Sequence, residues 1–396
     1  MDRPLEGIRV LDLGQIYQGP YCGMMLSYLG ADVIKIERPG GETVRDRSDS
    51  GETPEVQLLN PNKRGITLNL KSESGKQALF DLVEKADVLV ENFAAGKMDA
   101  LGVGYEDLKE VNPQLVYGHG SGYGNSGPYT KYPALDLTIQ AMGGVMHTTG
   151  FPENPPVKAG PAVSDFFGGI QLVTGIVSAL FQREQTGEGQ YVEVGMFDCI
   201  YPTLTSPIAA WVKEIDAPSR TGNRHSGMAI APYNVYEVED GYLAIICITQ
   251  EQWERLARLM DRDDMLDDER LATKAKRATN VQIVDDAIDE WLDGRRKDET
   301  VELLLEHDIP TAPVQTTDEI VSDPQLHHRE MINFLPNKGV GKDEIPVSGM
   351  PIKFSESEEP PVSASPGVGE HTREVLSEVA GYSDAEIDAM AEDDAF

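Results

Sequence analysis

Residues 8–37 read IRVLDLGQIYQGPYCGMMLSYLGADVIKIE, and the pattern of this stretch decides the fold. Residues 8–13 are a short β-rich run. After Gly19-Pro20, residues 21–29 have helical spacing and stop at Gly30, the residue that favours a helix C-terminus. Residues 32–37, DVIKIE, read as the next strand. The alternation continues with residues 65–70 as strand, 72–85 as amphipathic helix and 87–91 (DVLVE) as strand. Residues 105–111 then read as helix and 115–117 as strand. Strands alternating with helices predict an α/β fold with a mostly parallel sheet covered on both faces. Ligands of such sheets sit beyond the carboxyl ends of the strands. The loops to watch are therefore 15–19, 38–41, 92–96 and 118–129.

Further along, residues 166–183 form a strong helix, apolar at Ile170, Val173, Ile176, Val177 and Leu180. The turn 186–190 ends it, and 191–194 is a strand. Composition shifts to Gly, Arg, Ser and Pro over residues 216–227, which places a boundary there. Segment 1–215 is then the first part of a large domain, 216–325 a smaller α+β domain, and 326–396 a C-terminal segment. In the small domain, 233–237 and 242–247 read as a hairpin across Asp240-Gly241. Helices are expected at 250–259, 281–292 and 297–307. The tail has one clear helix, 370–379, and an acidic end.

The 396 residues carry 34 Lys+Arg against 67 Asp+Glu, a formal charge of −33. A field of that sign repels nucleic acid and anionic membranes. Besides plain solubility, so acidic a surface suits concentrated salt, where screening reduces self-repulsion. Anionic substrates then have to be held by local cations and backbone N–H groups. The longest apolar runs are interrupted by polar residues, so no membrane span is expected. No basic-then-apolar leader opens the chain. Cys22, Cys199 and Cys247 are odd in number and widely spaced, which fits a reduced, cytoplasmic protein.

Metal chemistry is not expected: His327-His328 are adjacent, and no His-Glu-x-x-His or Cys-x-x-Cys occurs. A serine-hydrolase elbow is absent too. Gly122-Tyr-Gly124-Asn-Ser-Gly127 has dinucleotide-fingerprint spacing, but Pro128-Tyr129 follows where a helix should open. That glycine-rich stretch reads either as a loop over a ligand or as a plain turn. Arg38, at the end of a strand, can meet a phosphate or pair with Glu37. Asp165, just before the 166–183 helix, reads as an ordinary N-cap or as a nucleophile. A helix N-terminus stabilises an ionised carboxylate there, and Gly168 and Gly169 clear space for a ligand. A carboxylate attacking a thioester needs no proton removed, which suits acyl transfer through an anhydride.

At this point the sequence resembles the family III CoA-transferases. The likeness is carried by Pro4-Leu-Glu-Gly-Ile-Arg-Val-Leu-Asp-Leu13, Gly19-Pro20 and Leu29-Gly-Ala-Asp-Val-Ile-Lys-Ile-Glu37. Asn62-Lys-Arg64, Asp87-Val-Leu-Val-Glu-Asn-Phe93, residues 122–129 and Thr186-Gly-Glu-Gly-Gln190 add to it. Gly222-Asn-Arg-His225, Asp240-Gly-Tyr and Trp253 extend it through the small domain. The resemblance implies a Rossmann-like large domain built from both ends of the chain, a smaller inserted domain, and an interlocked homodimer. It implies that Asp165 attacks an acyl-CoA thioester, that CoA is then carried as an aspartyl thioester, and that it passes to a small carboxylic acid. Coenzyme A thioester is thus substrate, and no permanent cofactor is expected. Succinyl-CoA and mesaconate are the donor and acceptor that the likeness favours.

By the same matching, Tyr17, Gln18, Arg38, Leu68 to Lys71, Asn92, Phe93 and Asp136 contact CoA. Many members carry Arg where this chain has Ala100, so Lys97 or another cation is expected to replace it. One glycine, Gly227, stands in 225–228, where some members have several in a loop over the active aspartate. For the acceptor carboxylates, Arg45, Arg47, Arg220 and Arg224 are candidates. The family also contains 2-methylacyl-CoA racemases, which place a His directly before the position of Asp136. This chain has Leu135, and two-base racemisation needs a base on each face, so transfer is favoured. A catalytically dead acyl-CoA-binding protein is the remaining alternative, and retention of Asp165 speaks against it.

Overall fold

Neighbouring strand residues in this chain are apolar on both sides, and each side has its own helices to bury against. In the computed structural model, which describes residues 3–215, 217–339, 341–358 and 361–396, six strands form one parallel sheet. They are β1 (Arg9–Asp12), β2 (Asp32–Glu37), β3 (Lys63–Thr67), β4 (Val88–Glu91), β5 (Val116–Ser121) and β6 (Tyr191–Gly195). The order is β3-β2-β1-β4-β5-β6, with every pair parallel. Val10, Val33, Val88, Val90 and Val116 pack on one face with α1 (Gln18–Tyr28) and the long helix Val163–Thr186. Leu11, Ile34, Ile66 and Leu89 pack on the other with helices Glu73–Val83 and Tyr105–Val111. A parallel sheet buried on both faces requires this apolar doubling.

The chain divides into two compact units. The first takes residues 1–139, 161–200 and 321–396, so the C-terminal segment packs with the parallel sheet. There the edge strand β3 donates its Gly65 N–H to His371 Nδ1 and its Thr67 N–H to Thr372 Oγ1, which blunts an otherwise open edge. The second unit takes residues 140–160 and 201–320. Its antiparallel hairpin, Tyr233–Val238 with Gly241–Ile246, is extended by Thr311–Pro313, a strand that the sequence pattern did not reveal. Trp253, Leu256, Val284, Ile288 and Leu304 fill its core.

Three other elements with a bearing on the site or the chain's end also differ from expectation. Strand β3 begins at Lys63, two residues early, because the Lys63 ammonium is buried on Asp12 and Asn60. The acidic end is helical over Asp384–Glu392, opened by a Ser383/Glu386 capping box. The long helix starts at Val163 rather than at 166, which puts Asp165 inside its first turn. This helix is long and apolar enough by composition to cross a bilayer, yet Leu172, Ile176, Ala179 and Leu180 are buried against the sheet.

Candidate active site

The strand order reverses between β1 and β4, and an open α/β sheet binds its ligands in the crevice beside that switch. The loops leaving the two strands meet there: Asn92 Oδ1 accepts the Gln15 N–H at 2.7 Å, and Asn92 Nδ2 donates to the Gln15 carbonyl at 3.0 Å. A cavity of about 1060 Å3 opens over the carboxyl ends of β4 and β5. Asp165, Gln18, Asn92, Phe93, Lys97, His119 and residues 121–125 line it. The glycine-rich loop is therefore part of a ligand-sized cleft.

Asp165 does not cap its own helix. The N-cap residue of that helix is Ala162, and the carboxylate that receives one of its N–H groups is that of Asp136, whose Oδ1 takes the Ser164 N–H at 2.8 Å. With capping done by Asp136, the Asp165 carboxylate stays available to the cleft. It is only 7% exposed. Burial, reinforced by the negative charge of Asp136, pushes its pKa up to about 7, against a lowering contact from the Gln18 backbone N–H. This is the setting that activates a carboxylate: little water, one aimed N–H donor and a helix N-terminus.

Gln18 opens α1 and is buried. Its amide is wedged between two glycines. A methyl group on Gly168 would lie 2.6 Å from its Nε2, and one on Gly120 would lie 2.7 Å from its carbonyl carbon. A methyl group on Gly169 would stand 2.9 Å from the Gln18 carbonyl oxygen and 3.0 Å from the Tyr21 ring. The glycines after Asp165 thus make room for α1, which corrects the reading that they clear space for a ligand. Among the described residues, the buried side-chain nitrogens without a partner include Gln18 Nε2 and His119 Nε2, and both residues line the cleft. Native proteins rarely leave such atoms idle. His119 has its other nitrogen against Glu91, which also accepts the Tyr117 hydroxyl at 3.1 Å and the Phe93 N–H at 2.7 Å.

The other expected residues scatter. Tyr17 lies beside the site, stacked on Phe166 with ring centroids 6.4 Å apart, and its hydroxyl accepts from Arg47. Leu68 points into the core, is 1% exposed and does not line the cleft. Lys71 is exposed, and Arg38 pairs with Asp46 at 2.9 Å rather than with Glu37; neither lines the cleft. Of the proposed acceptor cations, Arg45 is buried and bidentate on Glu37, and Arg47 pairs with Glu55. Arg224 pairs with Asp285, and Arg220 donates to the Phe151 carbonyl, both in the second unit. The lysines that do line the cleft are Lys97 and Lys131. Lys131 and His119 carry no recognisable motif, and strand periodicity alone does not aim them.

Residues 5–372 match CoA-transferase family III. The chain belongs to that family. It is 38% identical over 385 residues to the succinyl-CoA:mesaconate CoA-transferase of Haloarcula marismortui, covering 94% of this chain and 96% of that one. It is 36% identical over 409 residues to the formyl-CoA:oxalate CoA-transferase of Streptomyces coelicolor, covering 97% of each. Among solved structures, a CAIB/BAIF family protein from Brucella suis superposes with a TM-score of 0.84 at 35% identity, covering 96% of this chain and all of that one. As a family III CoA-transferase the protein handles acyl-CoA thioesters, and its cleft offers what thioester chemistry needs: a shielded carboxylate with N–H donors beside it.

Proposed function

We propose that the enzyme moves CoA from succinyl-CoA to mesaconate, with Asp165 as the covalent carrier. The uncapped, buried Asp165 carboxylate facing the cleft is the observation that carries this reading. The carboxylate attacks the succinyl thioester carbonyl, the C–S bond breaks, and CoA leaves as thiolate from a mixed anhydride. The thiolate attacks the aspartyl carbonyl and frees succinate, leaving aspartyl-CoA thioester. Mesaconate attacks that thioester to form a second anhydride, and the returning thiolate takes the mesaconyl group and restores Asp165. No proton is lost or gained overall. Gln18, through its N–H and its free Nε2, supplies donors for the oxyanion of each step. Asn92, Phe93 and Lys97 serve the CoA chain, and Asp136 acts by fixing the helix end. Tyr17 stays a flanking residue.

The reading includes an interlocked homodimer in a salt-rich cytoplasm. The apolar side chains left exposed along Val163–Thr186, Phe167, Ile170 and Phe181 (70% exposed), support a second copy. The charge of −33 supports the saline setting. Incubation with succinyl-CoA, with and without mesaconate, should give mesaconyl-CoA and succinate only in the complete mixture. Epimerisation of a 2-methylacyl-CoA without any CoA exchange would overturn the assignment.

Three further outcomes are expected. Because Asp165 must be ionised to attack, kcat/KM should rise about tenfold per pH unit below pH ~7 and level off above it. Asp136→Asn removes a charge that raises the Asp165 pKa, so the acid limb should move to lower pH in a pH–rate profile. Replacing both Lys97 and Lys131 by Ala should raise the KM for acyl-CoA about tenfold or more with a smaller change in kcat. It should also flatten the salt dependence of KM, since each lysine offers a screenable charge to an anionic substrate.

A further inference from the structure

The loop that delivers Gln18 to Asp165 is built under strain and held from below by buried charge. Ile16 has φ +65°, a left-handed conformation that a β-branched residue adopts only when its surroundings impose it. Its N–H donates to Glu42 Oε2 at 2.7 Å. Glu42 in turn pairs with Lys35 at 3.1 Å, and Lys35 Nζ donates to the Gly14 carbonyl at 2.9 Å. Asp12 Oδ1 accepts the Gly14 N–H at 2.8 Å. Lys63 Nζ binds Asp12 Oδ2 at 2.7 Å, the Pro20 carbonyl at 2.8 Å and Asn60 at 2.8 Å. The side chains of Asp12, Lys35 and Lys63 are fully buried, and that of Glu42 is 2% exposed. Neither Glu42 nor Lys35 lines the cleft.

Buried ion pairs are a poor way to gain stability, because desolvation offsets most of the attraction. They are an effective way to fix backbone groups in one place. We propose that Glu42, locked by Lys35, is a positioning residue for CoA transfer: it holds Ile16 in its strained conformation and so aims the Gln18 N–H and amide at Asp165. Donors fixed before the reaction cost no reorganisation when the oxyanion forms. The inference rests on the roles given above to Asp165 and Gln18, and extends them to groups outside the cleft.

The test compares Glu42→Leu with Glu42→Gln in the full-length enzyme, using succinyl-CoA and mesaconate, with thermal unfolding measured alongside. Glu42→Leu should lower kcat about 10- to 100-fold, by analogy with the loss of a group that orients a metal ligand. KM for succinyl-CoA should stay within about threefold. The acid limb of the pH–rate profile should move upward, since Asp165 loses the N–H contact that lowers its pKa. Glu42→Gln keeps an acceptor oxygen for the Ile16 N–H and should recover most of the rate at its own pH optimum. If Glu42→Leu does not fold, Lys35→Met carries the same expectation, because it frees the Gly14 carbonyl and unlocks Glu42. A folded Glu42→Leu or Lys35→Met variant with the kcat and acid limb of the unaltered enzyme overturns the proposal. So does a Glu42→Gln variant as slow as Glu42→Leu. Absence of CoA transfer in the unaltered enzyme would instead defeat the underlying assignment of function.

Discussion

Asp165→Ala is expected to lower CoA transfer by at least about four orders of magnitude, the scale seen when a covalent nucleophile is removed. No aspartyl-CoA adduct should appear in the mass of the protein after incubation with succinyl-CoA, whereas the unaltered enzyme should gain one. Full turnover by this variant would end the covalent scheme. Asp165→Asn should be equally inactive and, above pH 7, more stable. The sign follows from the raised pKa. The folded protein holds a proton on Asp165 up to about pH 7, while the unfolded chain gives it up near pH 4. Stability from this group is therefore complete below about pH 4, falls as pH rises to about 7, and is lost above. At about 1.4 kcal/mol per pKa unit, removing the ionisable group should return a few kcal/mol at pH 8, read as a higher unfolding temperature. A variant that is dead but more robust separates catalytic loss from misfolding.

Much of the fold could be read from residues 8–37, because a strand, a helix and a strand in so short a span leave few topologies. The apolar doubling in Val10-Leu11, Val33-Ile34 and Val88-Leu89 says that both faces of the sheet are covered. The charged residues of the same strands were not legible in this way. The side chains of Lys35 and Lys63 are fully buried, and nothing in their local pattern announces it, since their charged partners lie on other segments. The Gly14 carbonyl, Glu42 and Asp12 are brought to them only by the fold. Capping failed for a similar reason. Asp165 sits where a local cap is common, but the carboxylate that receives a helix N–H comes from Asp136. Arg45 and Arg224 are arginines in a chain looking for cations, yet their nearest carboxylates claim them, and Lys131 is left to face the cleft.

Gln18→Ala is expected to lower kcat about 100- to 1000-fold while leaving acyl-CoA binding within a few fold. The Gln18 Nε2 is buried, has no partner, and lines the cleft that Asp165 faces. Gly120 and Gly168 close on it from two sides, so the amide has little room to turn away. A fixed donor of this kind is worth about 3–4 kcal/mol in the transition state when the developing oxyanion is its partner. The backbone N–H of residue 18 survives the substitution, so Asp165 keeps its lowering contact and the acid limb of the pH–rate profile should not move. That outcome contrasts with Glu42→Leu, in which both rate and limb should change. Gly168→Ala offers an independent approach to the same amide: its new methyl group, 2.6 Å from Nε2, must displace Gln18 and should reproduce the loss of rate. A raised KM with an unchanged kcat for Gln18→Ala would assign the amide to ground-state binding instead. Unchanged kcat and KM together would remove it from the reaction.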